Sequence, residues 1–151
     1  MLTRYYDKKF GEHTNIHEAA LHRTALLAHP GAVATRPSRI HGAGLGLFAT
    51  EPIPGNRVIG EYTGTIRKYD ECNLSWSMHT SKGPDFMIDA STSRRSCPVR
   101  FINDTPPPLA NCIMRELYAD GRVFIVSKKA IPAGAELLYF YGHAYNRKWL
   151  N

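Results

Sequence analysis

The chain has 151 residues, of which 43% are hydrophobic and 21% are charged, and 19 Lys and Arg against 13 Asp and Glu give a formal net charge of +6. This length suits one domain with its own core, and the absence of any apolar run near the roughly 18 residues of a membrane helix argues against a membrane protein. Three scattered cysteines and an N-terminus without an apolar stretch make a secreted, disulfide-stabilised protein a poor interpretation, so we expect a protein of the nucleus or cytoplasm.

The first 32 residues are predicted to form an N-terminal helical flank. Asn15 followed by Glu18 has the spacing of a helix N-cap with its reciprocal Glu. The following stretch is rich in Ala and Leu until His29-Pro30-Gly31 ends it, which predicts one helix over residues 16–28.

From residue 33 onward, short apolar runs separated by Gly and Pro predict strands, so the fold class is mainly β with little α. Asp120-Gly121 is a tight-turn pair and predicts a hairpin over residues 112–127. Between residues 68 and 83 the alternation lapses, which predicts an inserted helical or irregular segment. The predicted strand runs are Leu45–Ala49, Arg57–Ile66, Phe86–Ala90, Cys112–Tyr118, Val123–Ser127 and Leu137–Tyr141.

Two segments contain residues that suit ligand binding. Glycines alternate in Gly42-Ala43-Gly44-Leu45-Gly46, which lets the backbone approach a ligand closely, although a tight turn between strands would use the same residues. An apolar stretch ends in Asn103-Asp104 and is followed, after a proline loop, by Asn111. The end of a strand would explain that pattern equally well.

Tyrosines occur in two of the predicted strands. Tyr139 and Tyr141 fall on the same face because side chains alternate along a strand, and Tyr62 precedes the Thr63-Gly64 pair that ends another strand. Aromatic packing in the core would also account for these positions.

In their order and spacing, these segments resemble the SET-domain protein lysine methyltransferases over about residues 36 to 142. That family has a Gly-x-Gly segment entering a strand, a Tyr-x-Gly strand, an Arg-Phe-Ile-Asn-His-Ser segment with a later Pro-Asn, and Glu-Leu before a Tyr and a Gly. The matching residues here are Gly44-Leu45-Gly46, Tyr62-Thr63-Gly64, Arg100-Phe101-Ile102-Asn103 with Asn111, and Glu136-Leu137 through Tyr141-Gly142.

The resemblance implies a SET-type fold of several small sheets around a knot-like core, with the domain over residues 33–142 and a closing segment over 143–151. It also implies S-adenosylmethionine as cofactor and Tyr141 as the catalytic tyrosine of a lysine channel that includes Tyr62 and Tyr139. We expect chiefly monomethylation, because the Tyr139 hydroxyl leaves less room for added methyl groups. The cofactor-binding residues expected from the resemblance are Ala43, Gly44, Leu45, Gly46, Arg100, Asn103, Asp104 and, in the closing segment, Trp149.

The expected substrate is a protein, a histone tail or nucleosome, with at most a nonspecific DNA contact through the basic surface. This substrate favours the nucleus as location. No metal site is expected. His13 and His17 have a spacing that could bind a metal but lack a clear third ligand, and the cysteines form no Cys-x-x-Cys pair.

Two departures from the family keep an alternative open, a catalytically weak SET-like module that binds chromatin or a partner. Asp104 stands where the family has His, and the closing segment lacks the cysteine-rich zinc segment of many members. A third interpretation, a nucleic-acid-binding protein, rests on charge alone.

Overall fold

A computed structural model of the chain describes residues 32–73, 76–79, 85–91, 98–117 and 122–142. The helix predicted over residues 16–28, the turn at Asp120-Gly121 and the closing segment with Trp149 lie outside these residues. The strands in the described ranges are β1 (Val33–Pro37), β2 (Leu45–Ala49), β3 (Val58–Tyr62), β4 (Thr65–Lys68), β5 (Ser77–His79), β6 (Phe86–Asp89), β7 (Asn103–Asp104), β8 (Cys112–Leu117), β9 (Arg122–Ser127) and β10 (Glu136–Tyr139).

Seven of the strands form a large sheet in the order β1-β2-β10-β8-β9-β3, with β7 also paired to β10. β10 runs antiparallel to β2 but parallel to β7 and β8. One short strand therefore joins segments from the beginning, the middle and the end of the described chain.

The predicted hairpin is confirmed by the pairing of β8 with β9. The two strands are antiparallel in one continuous register from Cys112 opposite Ser127 to Leu117 opposite Arg122. The alternation and the turn signal lie close together in sequence, which is why the sequence sufficed for this element.

A smaller sheet has the strand order β4-β6-β5, and it corrects two predictions. The run Arg57–Ile66 is two strands in two different sheets, separated by Thr63-Gly64. The segment over residues 68–83 is not wholly helical or irregular, since after a 3-10 helix at Tyr69–Glu71 it contains strand β5. Three residues are too few to show an alternating pattern, so this strand becomes recognisable only by its pairing with β6.

The two sheets share one hydrophobic core. Leu47, Ile125 and Leu137 of the large sheet belong to the same buried cluster as Met78 and Ile88 of the small sheet. Burial of apolar surface on both sheets stabilises their packing and holds the connecting segments between them.

The prediction of a mainly β fold is confirmed, since the helical residues in the described ranges form only short 3-10 turns. One of these turns, Pro98–Phe101, leads directly into β7. Within the same ranges, no helix is long and apolar enough to cross a membrane.

Candidate functional site

A cavity of about 520 Å³ opens between the β1–β2 connection, the turn Pro98–Phe101 and the residues that follow β10. Its volume is in the range of small-molecule sites. The residues that line it are Gly42, Ala43, Gly44, Leu45, Trp76, Arg100, Phe101, Asn103, Asp104 and Tyr141. Most of the predicted cofactor residues and the predicted catalytic tyrosine therefore share one cavity.

The glycine segment forms one wall of the cavity. Gly42 and Gly44 have φ angles of 79° and 73°, the left-handed region that favours glycine, and the Ser38 N–H donates to the Gly44 carbonyl across 2.8 Å to close the loop. A ligand can therefore approach the backbone here without meeting a side chain at either glycine.

A buried carboxylate, that of Glu136, connects this loop to β10. It accepts hydrogen bonds from the Ser38 hydroxyl at 2.6 Å, from the Arg39 N–H at 3.0 Å and from the Asn103 side-chain amide at 3.3 Å. Only 6% of Glu136 is exposed, so these donors replace the water that a carboxylate needs. The Glu136 side chain therefore helps to fix the position of this cavity wall.

Gly46 belongs to this connection and does not line the cavity. A Cβ atom at Gly46 would lie 2.2 Å from Glu136 Oε1 and 3.3 Å from Asn103 Nδ2. The glycine is needed here because any larger residue would displace the Glu136 carboxylate.

Two asparagines attach β7 and β8 to the neighbouring segments. Asn103 donates to the Leu45 carbonyl at 2.9 Å, at the end of the glycine loop. Asn111 donates from its amide nitrogen to the Glu136 carbonyl at 2.8 Å and accepts from the Leu138 N–H at 2.9 Å. Both side chains thus add hydrogen bonds to the backbone pairing around β10.

Arg100 and two aromatic rings form a second wall. The guanidinium carbon lies 4.7 Å from the ring centroids of both Trp76 and Phe101, and Nη1 donates to the Ala90 carbonyl at 2.7 Å. The two rings pack edge to face with centroids 5.6 Å apart. This wall presents a positive charge beside flat apolar surfaces, a combination that suits a ligand with an anionic group and an aromatic ring.

Asp104 and Tyr141 face the same cavity. Asp104 is 1% exposed, and its Oδ1 accepts the Tyr141 N–H at 2.7 Å. The Tyr141 hydroxyl donates to the Ile102 carbonyl. Tyr141 is therefore fixed both at its backbone N–H and at its phenol hydroxyl.

Tyr139 lies next to Tyr141 but is not part of the cavity wall. Their ring centroids are 4.8 Å apart with the planes tilted by 44°. Burial, reinforced by the negative charge of Asp104, raises the pKa of Tyr139 well above its usual value. Its hydroxyl therefore stays protonated at any physiological pH.

The third predicted tyrosine, Tyr62, is 6% exposed and belongs to the core. Its hydroxyl donates to the Trp76 carbonyl at 2.7 Å. Tyr62 thus contacts the residue that lines the cavity, although it does not itself line it. Trp149 lies outside the described residues.

Sequence reasoning did not identify Trp76 and Phe101 as cavity residues or Ser38 as a support of the loop. Phe101 belongs to the Arg-Phe-Ile-Asn motif, whereas Trp76 lies in the segment where the alternation lapses, and no local pattern indicates that Trp76 reaches Arg100. The place of Trp76 in the site can be recognised only from its contact with a residue distant in sequence.

Comparison with known proteins identifies a family. The SET domain family pattern matches residues 44–142. The Zea mays protein "Histone-lysine N-methyltransferase EZ2" is 29% identical over 107 residues, which are 66% of this chain and 12% of that protein. The chain thus spans about an eighth of the length of this curated relative.

Solved structures give the same result for the fold. Polycomb repressive complex 2 from Chaetomium thermophilum matches with a TM-score of 0.67 and 26% identity, over 76% of this chain and 16% of that chain. KRYPTONITE, solved with mCHH DNA, an H3(1-15) peptide and SAH, matches with a TM-score of 0.61 and 24% identity, over 74% and 23%. The two β-sheets described above are therefore those of a SET-type fold, as expected from the sequence.

Proposed function

Because the chain belongs to the SET-domain family, whose pattern covers residues 44–142, we propose that it is an S-adenosylmethionine-dependent protein lysine methyltransferase. One observation carries the proposal. The glycine loop, Arg100, Asn103 and Tyr141 come from separate parts of the sequence and converge on one cavity.

The walls of the cavity fit the proposed cofactor. Arg100 offers a cation to a carboxylate, the Trp76 and Phe101 rings offer flat apolar surfaces to a purine, and the backbone of residues 43–45 is open to close approach. Asn103 and Asp104 add polar groups for the amino acid and adenine parts. Gly46 would contribute by leaving room for the Glu136 carboxylate. Trp149 is assigned to the cofactor site by the sequence pattern alone.

The cofactor supplies a methyl group on a positively charged sulfur, and the chain must present a neutral lysine amine in line with it. An exposed lysine has a pKa of about 10.4, so the site has to favour the uncharged amine by removing water. Because the Tyr141 proton is donated to the Ile102 carbonyl, the phenol oxygen would act as an acceptor and orient the amine through its N–H.

Tyr139 would form the channel beside Tyr141, since their rings are in contact. Its hydroxyl stays protonated and would take up space next to the amine, which is why we propose chiefly monomethylation. Tyr62 is assigned to the same channel by the sequence pattern, and its bond to the Trp76 carbonyl would connect the channel to the cofactor wall.

The proposed substrate is a histone tail or nucleosome, and the proposed location is the nucleus. The relatives support this proposal, since one is named a histone-lysine methyltransferase and another was solved with a histone H3 peptide and DNA. The net charge of +6 is consistent with at most a nonspecific contact with nucleosomal DNA.

The first experiment measures methyl transfer from labelled S-adenosylmethionine to core histones. We expect Tyr141→Phe to lower the rate by about 100-fold while cofactor binding persists, because the substitution removes only the oriented hydroxyl. Tyr69→Phe is the matched control, since Tyr69 is 50% exposed in the 3-10 helix that follows β4 and its substitution should leave the rate unchanged. Unchanged labelling by Tyr141→Phe would contradict the role of Tyr141, and cofactor binding by the wild type without any transfer would favour the catalytically weak binding module.

The second experiment tests the methylation state. Mass spectra of the product should show chiefly monomethyl-lysine for the wild type and a shift toward dimethyl-lysine for Tyr139→Phe, because loss of the hydroxyl enlarges the space beside the amine. An identical distribution for both proteins would refute the assignment of Tyr139.

A further inference from the structure

At one end of the large sheet, the connection between β2 and β3 lies against the connection between β9 and β10. Ile53 and Ile131 exchange two backbone hydrogen bonds, both at 2.8 Å. The hydroxyl of the buried Ser127 donates to the Pro54 carbonyl at 2.6 Å and accepts the Arg57 N–H at 2.8 Å. These contacts fix the two connections next to each other.

Three cations, Arg57, Lys128 and Lys129, lie on these connections and form a basic patch. The two lysines are exposed, and the arginine is half-buried. Among the described residues, none of the three has an ion-pair partner. Residues 52–60 and 127–135 contain no Asp or Glu, so their positive charge is not neutralised within these segments.

Two acidic residues flank these segments in the sequence. Glu136 is 6% exposed, and its carboxylate already accepts three hydrogen bonds. Glu51 is exposed and is a single charge against the three cations. The positive charge of the basic patch therefore remains in excess at this end of the sheet.

Most other cations of the described ranges are engaged with carboxylates, carbonyl groups or aromatic rings. They are Arg39, Arg67, Arg100, Arg115 and Arg122. Arg36 and Lys68 remain, and they lie on edge strands of two different sheets. The basic patch is thus the place in the described ranges where unpaired cations from separate segments adjoin.

The composition around the basic patch favours phosphate groups of a duplex as its partner. Residues 52–60 and 127–135 contain no aromatic residue, whereas single-stranded nucleic acids are bound by stacking of their bases on aromatic rings. Protein interfaces are enriched in aromatic residues and depleted in lysine, which argues against a protein partner. Lysines without aromatic neighbours suit sequence-independent contacts with a phosphate backbone.

We propose that the basic patch binds the phosphate backbone of duplex DNA without regard to base sequence. This inference rests on the proposed function, because it gives the proposed nucleosome substrate a defined contact surface on this chain. The three residues of the basic patch do not line the cavity, so DNA binding and methyl transfer would use different side chains.

The test is fluorescence anisotropy of labelled duplexes of about 30 base pairs, in two unrelated sequences, titrated with the full chain between about 50 and 200 mM KCl. We expect the wild type to bind both sequences alike. Lys128→Gln with Lys129→Gln should weaken binding about tenfold and reduce the slope of log K against log salt by about 2, since each lost phosphate contact releases one counterion fewer. The Lys128 N–H bond to the Asn111 carbonyl belongs to the backbone and survives this change.

Arg36→Gln with Lys68→Gln is the matched control, because it removes the same net charge from exposed positions elsewhere and should change the affinity by less than about twofold. Equal losses for the two double variants would overturn the inference, since net charge alone would then account for binding. Failure of the wild type to bind duplex DNA would overturn it as well. So would unchanged DNA binding by Lys128→Gln with Lys129→Gln together with weaker binding to polyglutamate, which would indicate an acidic protein partner.

Methyl transfer separates this inference from the proposed function. Lys128→Gln with Lys129→Gln should match the wild type on a histone H3 peptide without DNA and should be slower on nucleosomes at concentrations below saturation. An unchanged rate on nucleosomes would contradict the role of the basic patch in substrate binding. A wild type that binds DNA through the basic patch but methylates neither substrate would contradict the proposed function and leave the DNA contact established.

Discussion

The two sheets are each held by a buried carboxylate, and the two carboxylates differ in how far apart in sequence their partners lie. Glu136 of the large sheet bonds Ser38 and Arg39, which are 98 and 97 residues away. Asp89 of the small sheet bonds the N–H groups of Ser91 and Asn73, which are 2 and 16 residues away. A connection over nearly 100 residues forms only when the whole domain is folded, so we expect damage at Glu136 to reach the cavity and damage at Asp89 to stay local.

Both regions also contain a glycine that allows a close approach. A Cβ atom at Gly46 would meet the end of the Glu136 side chain, whereas one at Gly64 would lie 2.2 Å from the backbone oxygen of Asp89. A side chain can rotate away at the expense of its hydrogen bonds, but backbone within a sheet cannot. We therefore expect substitution of Gly64 to cause the larger loss of stability, and substitution of Gly46 to impair the cavity.

The largest effect on stability is expected for Gly64→Ala. The added methyl group would collide with the backbone of Asp89 and Ala90 and should lower the free energy of unfolding by about 3 kcal/mol, measured by urea denaturation. Gly55→Ala is the control, because its Cβ would meet its neighbours at 3.4 Å, an ordinary contact. Similar losses for the two variants would contradict the steric argument.

Gly46→Ala changes the glycine of the large sheet that lies against Glu136. Displacement of the Glu136 carboxylate should cost about 2 kcal/mol of stability and weaken S-adenosylmethionine binding about tenfold, since the cavity loop loses its anchor. In a Glu136→Ala background, Gly46→Ala has no carboxylate to displace, so the two losses should be clearly non-additive. Full additivity in this double-mutant cycle would disprove the coupling of Gly46 to Glu136.

The smallest effect is expected for Asp89→Asn, about 1 kcal/mol at neutral pH, because the amide oxygen can still accept a hydrogen bond. Burial alone would raise the pKa of Asp89, but hydrogen bonds from Ser91 and Asn73 and the charge of Arg67 together hold it below its usual value. A lowered pKa in the folded state means that the stabilisation is complete above the unfolded pKa of about 3.9 and is lost as the pH falls through the folded value.

The difference in unfolding free energy between wild type and Asp89→Asn should therefore be constant near neutral pH and shrink below about pH 4. Asp85→Asn, at an exposed turn position just before β6, changes the net charge equally and serves as control. A difference that grows as the pH falls would show that the sign of the pKa shift at Asp89 is wrong.

Much of the large sheet could be predicted from local patterns. The β8–β9 hairpin follows from alternation and a turn pair, and the Leu45–Ala49 run coincides with β2. The division of the run Arg57–Ile66 between two sheets could not be predicted. Gly64 is required there because a Cβ atom would collide with the backbone of Asp89, which lies 25 residues farther along the chain. A strand as short as β5 likewise depends on its partner strand for recognition.

Three features could be predicted from the sequence alone: the strand-rich character, the hairpin, and the order of the Gly, Tyr, Asn and Glu-Leu segments that identify a SET domain. These features depend on spacing over a few residues, and such spacing is readable without knowing any contact. Two features depend on how the chain folds: Trp76 reaches the cavity wall, and Glu136 anchors the loop at Ser38 and Arg39. Those roles require partners that are distant in sequence, and no local pattern records which distant segments will pack together.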